Sequence, residues 1–407
     1  MAQLQLGHQL QLLQGGKDFF PALIEAIDAS VHEVRMETYI FNAVGSGALV
    51  AAALERAALR GVKVCLVMDG VGTPALDQHW CSRFQAAGVV WRIFAPMGRF
   101  GLLIPSRWRR LHRKLCVVDG QVAFCGGINV LDDFFDPNHG ALSLPRLDFA
   151  VRVSGPLVRE AHAEQAQFWW RLQAVQTAQQ MDLLAAWQAL QLAVALAPPS
   201  QMTSPALAVP AAGATARSAL VLRDNLRHRA DIERAYRKAI GEATQEIIIA
   251  NAYFFPGKRF RHALVEAARR GVRVVVVLQG RVEYVLMHYA SRALYGTLLD
   301  AGVEIHEYYK SFLHAKVAVI DGHWSTVGSS NIDPFSLLLA REANLVVLDR
   351  EFAAELLESL QRAFEAGAKV VQKTRWFRKP LTTRIAIWVA YAAVRLLMGV
   401  FGYAGRH

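Results

Sequence analysis

Two stretches of the chain carry the same set of chemically capable side chains. LHRKLCVVDGQVAFCGGIN (111–129) matches FLHAKVAVIDGHWSTVGSSN (312–331), so that His112, Lys114, Asp119, Gly126 and Asn129 align with His314, Lys316, Asp321, Gly328 and Asn331. In each copy His and Lys are two residues apart, which puts them on one face of a strand. Imidazole titrates near neutral pH, so one histidine can attack a substrate while the other moves protons. Two lysines and two asparagines supply donors for the non-bridging oxygens of a phosphodiester. A carbonyl lacks those negative oxygens and would use the set poorly. The lysine charges do the work of a metal, so neither a metal nor another cofactor is expected. A polar pair kept twice on strands that should be buried argues for one shared polar site, because buried charge is costly unless paired.

Each HxK run reads as a strand, broken by an Asp-Gly turn (Asp119-Gly120, Asp321-Gly322) and followed by a second strand. Small residues follow that strand, Gly126-Gly127 in one copy and Gly328-Ser329 in the other, and permit close backbone approach. The duplication extends upstream. LERAALRGVKVCLVMDG (54–70) pairs with LVEAARRGVRVVVVLQG (264–280), FQAAGVVWRIF (84–94) with LLDAGVEIHEY (298–308), and ETYIF (37–41) with NAYFF (251–255). These read as helix, glycine cap and apolar strand. Such alternation implies parallel strands covered by helices, hence two duplicated α/β domains. We place them at 1–195 and 218–372, joined by a Pro-, Ala- and Ser-rich linker at 196–217.

The 407 residues are long enough for two or three domains. With 53% hydrophobic and 19% charged residues the chain is not mainly disordered. A net charge of +11 points to an anionic partner: nucleic acid, a membrane surface or a phosphorylated substrate. Cys65, Cys81, Cys116 and Cys125 form no CxxC pair, and reduced thiols are expected. The N-terminus has no secretory pattern, which fits a cytoplasmic location.

At these residues the sequence resembles the phospholipase D superfamily, whose signature is HxKxxxxD followed by Gly-Gly or Gly-Ser and Asn. The Gly-Gly form followed by INVLDD, together with RDNLRHRADIERAY (223–236), ANAYFFPGKRF (250–260) and TVGSSNIDPFSLLLAREANL (326–345), resembles the bacterial cardiolipin synthases. The resemblance implies two phospholipase D-like domains, with mixed β-sheets flanked by helices, packed face to face around one active site. It implies a phosphatidyltransferase that joins two phosphatidylglycerol molecules into cardiolipin and glycerol through a covalent phosphohistidine. His112 is then the nucleophile and His314 the acid and base, with Lys114 and Lys316 beside them. An acidic residue holds each histidine, and Asp148 and Glu342, downstream of the two motifs, are the candidates. Asp119 and Asp321 complete the signature and are expected to anchor their turns. Gly126, Gly127, Asn129, Gly328, Ser329 and Asn331 support the site. Phosphatidylethanolamine is a further possible donor. Hydrolysis to phosphatidic acid, a nuclease activity on nucleic acid, and a non-catalytic scaffold are the competing readings; the last two fit the sequence less well.

Two regions point to a membrane. Residues 97–114 interleave Arg99, Arg107, Arg109 and Arg110 with Phe100, Leu102, Leu103, Ile104 and Trp108, a mix that suits anionic headgroups and the interface. The C-terminal 373–407 adds Trp376 and Phe377, then an apolar run interrupted by Arg384 and Arg395. An arginine near a bilayer centre costs about 2.5–3.5 kcal/mol, so an interfacial helix is expected rather than a spanning one. The expected location is peripheral, on the cytoplasmic side of the bacterial inner membrane.

Overall fold

The computed structural model describes residues 3–99, 101, 104–196, 216–224, 228–333, 339–378 and 380–400. Phe100, Leu102, Leu103 and most of the expected linker fall outside them. Ala216 and Arg217, assigned to the linker from sequence, instead open a strand.

The first half runs β1 (Gln5–Gln14), α1 (Gly15–Asp28), β2 (Glu33–Thr38), α2 (Ser46–Leu59), β3 (Lys63–Asp69), α3 (Gln78–Ala87), β4 (Val90–Phe94), β5 (Arg110–Leu111), β6 (Lys114–Val118) and β7 (Val122–Gly126). A two-strand ribbon, β8 (Phe135–Asp136) and β9 (Gly140–Ala141), precedes β10 (Phe149–Ser154), α4 (Leu157–Gln179) and α5 (Leu183–Ala195). The second half repeats the plan: β11 (Ala216–Arg223), α6 (Asp231–Glu242), β12 (Glu246–Asn251), α7 (Lys258–Arg269), β13 (Arg273–Gln279), α8 (Val285–Arg292), α9 (Tyr295–Asp300), β14 (Glu304–Tyr308), β15 (Lys316–Ile320), β16 (Trp324–Gly328), β17 (Ala340–Leu348) and α10 (Arg350–Gly367). Then come β18 (Ala368–Val370), α11 (Lys373–Phe377) and α12 (Leu381–Val400).

Both sheets are mixed. Within each half β2–β3–β4 and β12–β13–β14 run parallel, and β5 joins β17 in parallel across the halves. The strands that follow each histidine pair antiparallel with both neighbours. The helix–strand alternation upstream of each motif accounts for the parallel part. The Asp-Gly turns make the rest, because a tight hairpin can only join antiparallel strands.

The two sheets meet along one edge, where β1 pairs with β11. They also pack face to face. Leu115, Val117, Cys125 and Val151 of the first half share a core with Val317, Val319, Val327 and Leu345 of the second. The alternate residues Cys116 and Val118 face α1 and α2 instead. Burial on both faces is why these strands read as continuous apolar runs. The four cysteines are free thiols, and all but Cys81 are buried.

The turns have the anchors expected of Asp119 and Asp321. Asp119 and Asp321 have φ of 51° and 50°, and the glycines after them are also positive, giving the left-handed turn that Asp-Gly favours. The Asp119 carboxylate accepts the N–H groups of Val31, His32 and Glu33, each at 2.8 Å. Asp321 does the same for Thr244, Gln245 and Glu246 at 2.8–2.9 Å. Burial would raise these carboxyls, but the backbone donors outweigh it and hold both low. They stand at the opposite end of β6 and β15 from the histidines, with the five residues of strand, roughly 16 Å, between them. These aspartates are therefore turn anchors remote from both imidazoles. Asp119→Ala or Asp321→Ala should cost about 1–3 kcal/mol of stability, as expected for orphaned backbone donors. In a denaturant titration coupled to an activity assay, stability should fall while turnover per folded molecule holds.

Candidate active site

The strands open at Lys114 and Lys316, so both histidines lie two residues before them, in the connection rather than on the strand face. What fixes them is the other half of the chain. Residues 110–111 pair in parallel with residues 340–341, and the His112 N–H donates to the Arg341 carbonyl at 3.0 Å. Symmetrically, the His314 N–H donates to the Leu147 carbonyl at 2.9 Å. Each histidine is thus stitched to the residue just before a carboxylate of the opposite half.

The side chains complete this exchange. His112 Nδ1 lies 3.0 and 3.1 Å from the two Glu342 oxygens, and His314 Nδ1 lies 2.6 Å from Asp148 Oδ2. Each motif's downstream acid therefore serves the other motif's histidine. With Nδ1 held, each ring keeps Nε2 for chemistry. Both rings retain some access to solvent, at 16% and 20% exposure, whereas Glu342 and Asp148 are buried.

Lys114 and Lys316 are buried and donate to the carbonyls of His112 and His314. Burial, together with the neighbouring Lys316, pushes the Lys114 ammonium down to about 7. Burial also lowers Lys316, to about 8, although Asp148 and Glu342 oppose the shift. Burial, Lys316 and Lys114 hold His314 well below its ordinary range. His112 adds to that field, so the two rings sense one another. Burial raises Asp148 to about 6 against the pull of Lys316. Glu342 would rise likewise, but His112, Lys114 and the Ser329 hydroxyl hold it low.

The Gly-Gly versus Gly-Ser difference follows from these acids. A Cβ at Gly127 would stand 2.2 Å from Asp148 Oδ1, so only glycine fits. Ser329, at the matching position, donates its hydroxyl to Glu342. Gly126 and Gly328 let β7 and β16 approach β10 and β17 closely. Asn129 Oδ1 accepts the Ile40 N–H at 3.1 Å. Asn331 Oδ1 is buried with no partner among the described residues.

Sequence reasoning assigned no role to several groups here. The Tyr39 ring meets His112 edge-on at 5.0 Å and lies 5.4 Å from the Lys114 ammonium. Its counterpart Tyr253 donates to Glu283 beside Lys316; the ETYIF/NAYFF match was the signal. Asp69 accepts the Leu111 N–H at 2.7 Å and so sets the strand before His112. Arg113, between His112 and Lys114, is buried in ion pairs with Glu37 and Glu164; Ala315 and Asn251 stand at the matching positions of the second half.

Three of the expected membrane contacts are turned inward. Arg110 is spent on Asp69 at 3.1 Å, Arg107 on the Met97 carbonyl at 2.9 Å, and Trp376 lies 4.9 Å from the Tyr295 ring. Trp108 is half-buried, while Arg99, Arg109, Phe377, Arg384 and Arg395 are exposed. The helix α12 rests on α8 through Ala390 and Val394, which leaves Ile385, Trp388, Val389 and Leu396 exposed. Among the described residues no helix is long and apolar enough to cross a membrane.

A family model described as a cardiolipin synthase, phospholipase D-like domain matches residues 23–144 and 236–364. The chain is 38% identical over 379 residues to cardiolipin synthase B of Shigella flexneri, covering 90% of this chain and 83% of that protein. It is likewise 38% identical over 381 residues to cardiolipin synthase B of Escherichia coli K12, with the same coverage. The phosphatidylserine synthase of Haemophilus influenzae Rd KW20 has the same fold, with a TM-score of 0.68 at 12% identity over 96% of this chain and 94% of that one.

Proposed function

The chain belongs to the phospholipase D-like cardiolipin synthases, and from that premise we propose that it moves a phosphatidyl group from one phosphatidylglycerol to another, making cardiolipin and releasing glycerol. The crossed His–carboxylate pairs beside two buried lysines carry this reading. His112 Nε2 bonds to phosphorus as the P–O bond to glycerol breaks, and His314 gives its Nε2 proton to the leaving oxygen. A headgroup hydroxyl of the second lipid then hands its proton to His314 and attacks phosphorus, and the P–N bond electrons return to His112. The split into two displacements is the usual gain of covalent catalysis. Glu342, held ionised, balances the cationic ring that P–N bond formation creates, which supports His112 as nucleophile. Asp148, 2.6 Å from His314 Nδ1, supports His314 as donor and then as base, because a carboxylate at one ring nitrogen steadies the protonated ring. Lys114 and Lys316 would hold the phosphate oxygens, and the arriving anion would keep them charged.

Binding to the membrane would be peripheral, on its cytoplasmic side, through the exposed apolar face of α12, Phe377 and the arginines Arg99, Arg109, Arg384 and Arg395. Purified protein on phosphatidylglycerol vesicles should yield cardiolipin and glycerol as the main products, read by lipid mass spectrometry. Added glycerol should drive the reaction backwards. Predominant phosphatidic acid would mean that water is the acceptor.

A further inference from the structure

A large cavity of about 720 Å³ lies between α1 of the first half and α10 of the second. It falls within the ~300–1,000 Å³ range of ligand pockets. Its walls are chiefly apolar: Phe20, Ile24 and Leu49 on one side, Tyr308, Ala363 and Ala366 on the other. Its floor reaches Leu147, the residue before Asp148, and Ser311, three residues before His314. At most about 10 Å of extended chain separates the latter pair. The cavity therefore borders the His314–Asp148 side of the active site.

We propose that this cavity takes one long acyl chain of the phosphatidyl donor, which deepens the transferase reading above and rests on it. The charges at its mouth suit an anionic lipid. Lys17 and Lys310 are exposed and form no ion pair among the described residues. The cavity's carboxylates are already used, Asp132 by the Ser46 N–H and hydroxyl and Asp133 by the Gly16 N–H. Exposed Leu49, Phe134 and Leu144 edge the opening and continue the apolar surface outward. The need for shelter is physical. The lysines and carboxylates that receive the phosphate are buried, so the donor must rise out of the bilayer to reach them. Each methylene drawn into water would weaken that step about fourfold, whereas an apolar cavity removes the penalty.

Ala363→Trp and Ala366→Trp, which fill the cavity from a helix outside the reacting groups, test this. On vesicles of long-chain phosphatidylglycerol, turnover should fall on the order of tenfold or more, since two to three methylenes would be displaced. On water-soluble dibutanoyl phosphatidylglycerol it should stay unchanged. Full activity on long chains, or equal loss on both donors with an unaltered melting temperature, would overturn the proposal. A phosphatidylglycerol carrying a mid-chain diazirine gives a readout in the unmodified protein: label should map to residues 15–28 and 350–367, and absence of label there would also overturn it. Wild-type protein that takes the label but forms no cardiolipin would leave the cavity assignment standing and remove the transferase reading.

Discussion

Alanine at His112 or at His314 should lower phosphatidyl transfer by about 10⁴-fold or more, and the double variant should fall little further, because residues acting as one unit do not add. Both side chains are partly exposed at the mouth of the site and contribute little packing, so each variant should fold with near-native stability. The two losses should differ in kind. Without His112 no phosphorus–nitrogen bond can form, whatever the leaving group. Without His314 the proton for a poor leaving alkoxide is missing, so a p-nitrophenyl phosphodiester, whose leaving group needs no proton, should restore much of the first step. Steady-state rates on both substrates measure this. Retained transfer in either alanine variant would refute the two-histidine scheme.

The crossed carboxylates make the second large prediction. Asp148→Asn should cost about 10²–10⁴-fold, the range expected when an imidazole loses its orienting carboxylate, and so should Glu342→Gln. Asp148 precedes β10 of the first half but bonds His314 of the second. Asp148→Asn should therefore share the behaviour of His314→Ala, including rescue by the activated substrate. Glu342→Gln should behave as His112→Ala and resist rescue. If each acid instead followed the histidine of its own half, the exchange across the two halves would be wrong. Neither amide introduces a new shape, so melting temperatures should separate a misfolded variant from a misoriented ring.

Much of this was legible before any coordinates. The paired HxK motifs pointed to phosphodiester chemistry, and the Asp-Gly turns marked the hairpins, because both are local signals. Asp148 and Glu342 could be named from where they stand after each motif. Their exchange could not, because it depends on how residues 110–112 and 312–314 bond across the interface. Arg110 shows the same limit. In the sequence it belongs to a basic-aromatic run, yet burial beside Asp69 makes it a structural ion pair. Asp119 and Asp321 belong to the signature by spacing, while strand length carries them away from the imidazoles. The cavity between α1 and α10 had no signature, since its walls come from segments more than 300 residues apart along the chain.

In the proposed mechanism both imidazoles flank one phosphorus, and one of them bonds to it. Acid-free quenching of the protein during turnover of labelled phosphatidylglycerol, followed by peptide mass spectrometry, tests this most directly. A phosphatidyl adduct on His112, lost in His112→Ala, is the predicted result. An adduct on neither histidine under conditions where cardiolipin is forming would rule out the phosphohistidine intermediate.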